Sequence, residues 1–178
     1  MNMGGKTKVL LAALVVVSAL TASVAESGDE IAFDATTAFE TLRKLDGEWE
    51  GTVKSPDGPA VSVEFAVTAN DTTVMERLFK ESPNEMINMY HMDGENLVLT
   101  HYCTLGNQPR MKFRRSETPG VIRFVFTGGG NMDPRRDLHM HTMMIRIVDS
   151  DHIETEWDMH ADGKKVRTTG FVLERQAR

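Results

Sequence analysis

The stretch Val61-Ser62-Val63-Glu64-Phe65-Ala66-Val67-Thr68 decides the fold. Large apolar side chains alternate with small or polar ones. Successive side chains of an extended chain leave on opposite faces, so a period of two marks a strand with one face buried. Turn residues bound this stretch on both sides. Upstream, Ser55-Pro56-Asp57-Gly58 closes a first strand over 48–54. Downstream, Asn70-Asp71 leads into 72–80 and Ser82-Pro83-Asn84 into 86–92. Asp93-Gly94 is a tight hairpin turn into 97–104, because glycine tolerates positive φ. Gly106-Asn107 then leads into 110–115, and Thr118-Pro119-Gly120 precedes 121–127. Gly128-Gly129-Gly130-Asn131 opens the longest irregular stretch, and 138–148, 152–160 and 165–174 follow as a meander.

About ten strands with short links and no crossover helix predict an all-β, antiparallel up-and-down barrel. Closure removes the exposed edges that so long a sheet would otherwise carry. An open sandwich is the alternative. Ahead of the strands, Thr37 and Glu40 stand at capping-box spacing, with Phe39, Leu42 and Leu45 on one helical side. A short helix over 37–45 is expected, plugging one end of the barrel.

The first residues read as a leader. Lys6 and Lys8 precede an uncharged apolar run over 9–20, and Ser23-Val24-Ala25 supplies small residues for cleavage. A signal peptide over 1–25, a loose segment over 26–36 and one barrel domain over 37–178 are expected. Export to the periplasm or the extracellular space follows, with no stable membrane span after cleavage. An uncleaved anchor is the alternative, but the run is shorter than the ~20 residues a span needs. The chain carries a net charge of −6, and losing the leader's lysines makes it more acidic still. Nucleic acid is a poor partner for such a chain, since phosphates demand clustered cations. Cys103 is the only cysteine, so an intrachain disulfide is excluded. It reads as a small buried side chain, with a reactive thiol or a metal ligand as alternatives.

Histidines mark the candidate site. Leu97, Leu99, His101 and Cys103 share one face of their strand. His139, His141, Met143, Ile145 and Ile147 share a face of another. Both faces are apolar at one end and are expected to point inward, bringing His101, His139 and His141 to one polar region of the lumen. His139-Met140-His141 places two imidazoles on one side of a strand, as a Zn²⁺ site needs, with His101 or Cys103 as the third ligand. The alternative is hydrogen-bonded histidines, or a ligand pocket without metal. Trp157 and Met159 are expected to point inward, and the row Glu154, Glu156, Asp158 to face water, since unpaired buried charge is costly. Arg115 falls on the Met111 side and can anchor an acidic ligand group at the barrel mouth. Twelve methionines suit an adaptable apolar cavity or ordinary core filling. No nucleophile elbow, phosphate loop or helical zinc-protease motif is present.

A short helix followed by Gly47-Glu48-Trp49 resembles the Gly-x-Trp signature of the calycins, which include lipocalins, fatty-acid-binding proteins and nitrobindins. In that superfamily the Trp packs across the closed end of the barrel. Tyr90-His91-Met92-Asp93-Gly94, Leu99-Thr100-His101-Tyr102-Cys103 and Gly106-Asn107-Gln108-Pro109-Arg110 are similar to a group of secreted, uncharacterised lipocalin-like domains. The resemblance implies a barrel and an exported location, and no activity. The haem-ligating histidine of nitrobindins matches no position by motif, so haem binding is not carried over and no cofactor is assigned. The leading expectation is reversible binding of a small, largely apolar or amphipathic molecule by His101, Cys103, Arg115, His139, His141, Met143 and Trp157. The alternatives are a metal- or haem-dependent activity at the histidines, and a structural domain whose lumen is filled.

Overall fold

The computed structural model describes residues 33–177 together with Met1. The expected signal peptide and most of the segment over 26–36 lie outside the described residues. Helix α1 (Ala35–Arg43) precedes ten strands: β1 (Gly47–Val53), β2 (Ala60–Thr68), β3 (Thr73–Leu78), β4 (Met86–Asp93), β5 (Asn96–Tyr102), β6 (Gln108–Arg114), β7 (Val121–Gly130), β8 (His139–Ile147), β9 (His152–Ala161) and β10 (Lys164–Arg175). Each strand pairs antiparallel with its neighbours in sequence, and β1 pairs β10 to close the barrel.

The alternation in β2 has the expected outcome. Val61, Val63 and Phe65 are buried, while Ser62, Glu64 and Ala66 are half-buried on the other side. A two-residue turn joins β9 to β10, where Asp162 and Gly163 take φ values of 50° and 69° in succession. That pair of left-handed residues matches the twist of the flanking strands. Gly51 is required for a different reason. A Cβ there would stand 1.8 Å from the Val172 carbonyl oxygen on β10, so any side chain would force open the seam that closes the barrel.

The helix begins earlier than the sequence spacing suggests. Asp34 is the N-cap, its carboxylate accepting from the Thr37 N–H at 2.7 Å, while the Thr37 hydroxyl accepts from the Asp34 N–H at 3.0 Å. The expected cap, Thr37, is therefore the far half of the box, and part of the segment expected to be loose is ordered. A carboxylate gains more than a hydroxyl from the positive end of the helix dipole. Phe39, Leu42 and Leu45 are buried as expected and plug the end where β1 begins. Trp49, fully buried, donates its indole N–H to the Leu45 carbonyl at 2.8 Å. The Arg175 guanidinium lies 4.3 Å from the Trp49 ring centroid and donates to the carbonyls of Lys44 and Asp46. It thereby satisfies carbonyls that the helix C-terminus leaves open.

Two further corrections concern strands. Gly128, Gly129 and Gly130 extend β7 and pair with Arg110, Pro109 and Gln108, so the irregular stretch begins at Asn131. The register of β8 against β9 slips between Met140 and Thr142, a bulge at His141. Beyond the bulge, Met143 faces Trp157 and Ile145 faces Thr155, all buried. Before it, Met140 faces Met159 and His139 faces His160. One inserted residue exchanges the faces of everything upstream of it.

Candidate functional site

A cavity of about 450 Å³ opens at the end of the barrel away from the helix, among the ends of β1, β3, β5 and β9 and the starts of β4, β8 and β10. Val53, Leu78, Phe79, Met86, Met140 and Phe171 give it apolar walls. His101, Trp157, Cys103 and Thr169 are among its polar lining residues, and Arg167, itself exposed, stands on the lining from β10.

His101 is 1 % exposed and belongs to a chain of buried polar groups reaching across three strands. Its Nδ1 lies 2.7 Å from Asn88 Oδ1. Asn88 Nδ2 donates to Glu76 Oε2 at 2.6 Å, and the Tyr90 hydroxyl donates to the same oxygen. Strand register makes this arrangement. Glu76 on β3 pairs with Asn88 on β4, and Asn88 pairs with His101 on β5, so the three stand in one inward row. Burial raises the Glu76 carboxyl to about 7, against the opposing effect of the bonds from Tyr90 and Asn88. Burial and then the neighbouring Glu76 charge hold the Tyr90 phenol well above its ordinary range. Burial lowers His101 to about 4, so the ring is neutral at pH 7. Three buried atoms of this region lack a hydrogen-bond partner among the described residues: His101 Nε2, Trp157 Nε1 and Glu76 Oε1. The His101 and Trp157 rings are 5.1 Å apart, centroid to centroid. Buried polar atoms are nearly always paired, and two orphans on residues lining one cavity set this end of the barrel apart.

The structure does not bring the other two histidines to His101. Met140, not its flanking histidines, lines the cavity, because the bulge turns His139 to the side of His160. His141 stacks on His160 with ring centroids 3.8 Å apart and planes 10° apart, and on Phe126 at 5.0 Å. His139 Nδ1 bonds the Asp137 carbonyl at 2.8 Å, and its Nε2 lies 3.1 Å from His141 Nδ1. Burial, then repulsion from His160 and His139, lowers His141 to about 4. His160 is lowered as well, by burial and by His139. Among the described residues no group of three or more His, Cys, Asp or Glu side chains is placed to hold a metal ion. The expected convergence of His101, His139 and His141 on a metal is thus corrected by the bulge.

Of the remaining expected residues, Trp157 and Cys103 line the cavity. Met143 is fully buried beside Trp157 and packs in the core below it. Arg115 is exposed just past β6, at the helix end, where its charge acts on Asp34. It is at the wrong end to anchor a ligand in this cavity. The row Glu154, Glu156, Asp158 is on the outer side as expected, with Glu154 bonded to Lys54 and Asp158 to Lys165 and Thr168. Glu76, Asn88 and Tyr90 were not among the expected site residues. Their signal is a polar residue inside an apolar inward row: Glu76 between Val74 and Leu78, and Asn88 between Met86 and Tyr90.

No protein-family model matches the sequence, and no curated protein matches it. Among solved structures, the chain is similar to Rv2717c from M. tuberculosis, at TM-score 0.52 and 21 % identity, over 79 % of this chain and 98 % of that one. It is also similar to a DUF3598-family protein of unknown function from Nostoc punctiforme, at TM-score 0.51 and 15 % identity, over 76 % of this chain and 49 % of that one. These likenesses show the fold, a closed ten-strand antiparallel barrel.

Proposed function

We propose that this barrel reversibly binds one small, largely apolar molecule, whose polar end lies against His101 and Trp157. The observation that carries the reading is the coincidence of an apolar cavity of about 450 Å³ with two unpartnered buried nitrogens on its lining residues. Cavities that hold small molecules typically run to ~300–1,000 Å³, with mostly apolar walls and a few placed polar groups. Each ligand methylene buried there contributes about 0.8 kcal/mol, so a chain or ring system of moderate size overcomes the cost of association. The leader over 1–25 and the resemblance to secreted lipocalin-like domains support an exported carrier or sensor. The metal- or haem-dependent alternative loses the histidine cluster on which it rested, since His101 alone of the three lines the cavity.

Native mass spectrometry on protein purified from the organism that makes it tests this reading. The expected result is a mass excess of one small organic molecule per chain, released on denaturation and lost in a His101→Phe, Trp157→Phe double variant. A visible absorption band or a stoichiometric metal would replace this reading with the cofactor-dependent one. No retained molecule, with no uptake of any apolar compound, would leave a filled structural domain.

A further inference from the structure

We propose that the ligand's polar group is a hydroxyl, held by the acceptor His101 Nε2 and the donor Trp157 Nε1, and that Glu76 and Asn88 are positioning residues that set this preference. The inference rests on the cavity being a binding site.

The donor and acceptor pattern follows from the hydrogen-bond chain. Glu76 Oε2 accepts hydrogens from Tyr90 and from Asn88 Nδ2, and it remains an acceptor when the carboxyl carries its proton on Oε1. Asn88 therefore turns Oδ1 toward His101. Oδ1 can only accept, so His101 Nδ1 carries the ring's hydrogen. A neutral imidazole has one N–H, which leaves Nε2 as a bare lone pair. The neighbouring indole Nε1–H can only donate, and its ring centroid is 5.1 Å from that of His101. Neither atom has a hydrogen-bond partner among the described residues.

A hydroxyl is the smallest group that answers both atoms, giving its hydrogen to Nε2 and accepting from Nε1–H. An ether oxygen accepts only, so it leaves the His101 lone pair buried and unpaired. A carboxylate meets that lone pair with a second one and carries charge into an apolar cavity. Sites built to bond a hydroxyl reject analogues that lack it, because the site's own polar groups are then stranded. Arg167 at the lining offers the contrary choice, an anion held at the surface, and the test includes it.

The experiment titrates the purified full chain with decan-1-ol, 1-methoxydecane and decanoate at pH 7, read by calorimetry and tryptophan fluorescence. The expected result is that the alcohol binds about tenfold tighter or more than the ether, and tighter than decanoate. In His101→Phe the alcohol and the ether should bind alike. In Glu76→Gln, the 15N shifts of His101 should report a mixed tautomer and the alcohol's advantage should shrink. Equal binding of alcohol and ether by the natural chain overturns the hydroxyl inference and leaves the cavity reading standing. Preference for decanoate, abolished by Arg167→Gln, overturns it in favour of an anion site. Failure of all three to bind removes the cavity reading and this inference with it.

Discussion

The single imidazole of His101 and the stacked imidazoles of His139, His141 and His160 sit at the same end of this barrel, the first on a regular strand and the others around a bulge, and they are built for opposite ends. His101 and His141 are both lowered to about 4. For His101 the cause is burial alone, and the ring is tied through Asn88 to Glu76 deep in the core. For His141 burial acts together with two neighbouring imidazoles, and the ring is packed face to face with His160 and Phe126. The first ring keeps a nitrogen without a partner among the described residues, beside a cavity. The rings of the second group occupy one another. A depressed histidine alone therefore does not identify a site; the proposed one rests on the unpartnered nitrogen next to open apolar space.

Glu76→Gln should separate the two groups most strongly. Glu76 moves from 4.5 when unfolded to about 7 when folded, so the folded state holds the extra proton and stability falls as pH rises from 4.5 to 7. His101 moves from 6.5 to about 4, so the unfolded state holds the extra proton and stability rises as pH rises from 4 to 6.5. The two slopes oppose each other over their shared window. Glu76→Gln removes the first, and urea unfolding should show the variant gaining roughly 1–2 kcal/mol above pH 7. Its stability should also climb more steeply between pH 4 and 6.5 than that of the natural chain, where Glu76 offsets part of the rise due to His101 and His141. Equal slopes in the two chains over that window would show that Glu76 is not a buried acid.

His141→Phe should do less. It preserves the stacking on Phe126 and His160 while removing one of the mutually repelling imidazoles. His141 is partly exposed, but the variant also takes from buried His139 Nε2 its partner at 3.1 Å, so the cost at pH 7 should be about 1 kcal/mol. Lowering the pH from 6.5 through 4 charges His141 in the natural chain and should cost it stability that the variant keeps, as thermal unfolding at pH 4 against pH 7 would record. Decan-1-ol affinity should be unchanged. A loss of affinity in His141→Phe would join the two groups that the structure separates.

Period-two alternation made most of the barrel legible in advance, because it reports directly which face is buried. The inward positions of Val63, Leu99 and Trp157 follow from it without knowledge of pairing. The His101 end of the cavity was legible in the same way. The false convergence of His139 and His141 has one cause. A bulge is a property of two paired strands, and nothing within His139-Met140-His141 distinguishes it from a regular extended segment. The sequence does not single out Asp34 as the helix cap, because Thr37 and Glu40 also satisfy the spacing and the competing carboxylate lies three residues earlier. Glu76 and Asn88 were visible as polar intruders in apolar rows. Their connection to His101 was not, since it depends on three strands meeting in one register.

The central claim concerns the bare nitrogen of His101, and long-range 1H–15N NMR of the imidazoles at pH 7 reads it most directly. The account predicts hydrogen on His101 Nδ1 and none on Nε2, with the Nε2 resonance alone moving when decan-1-ol is added while those of His139, His141 and His160 stay in place. A protonated Nε2 in the free protein, or a response to the alcohol confined to the outer stack, would contradict it.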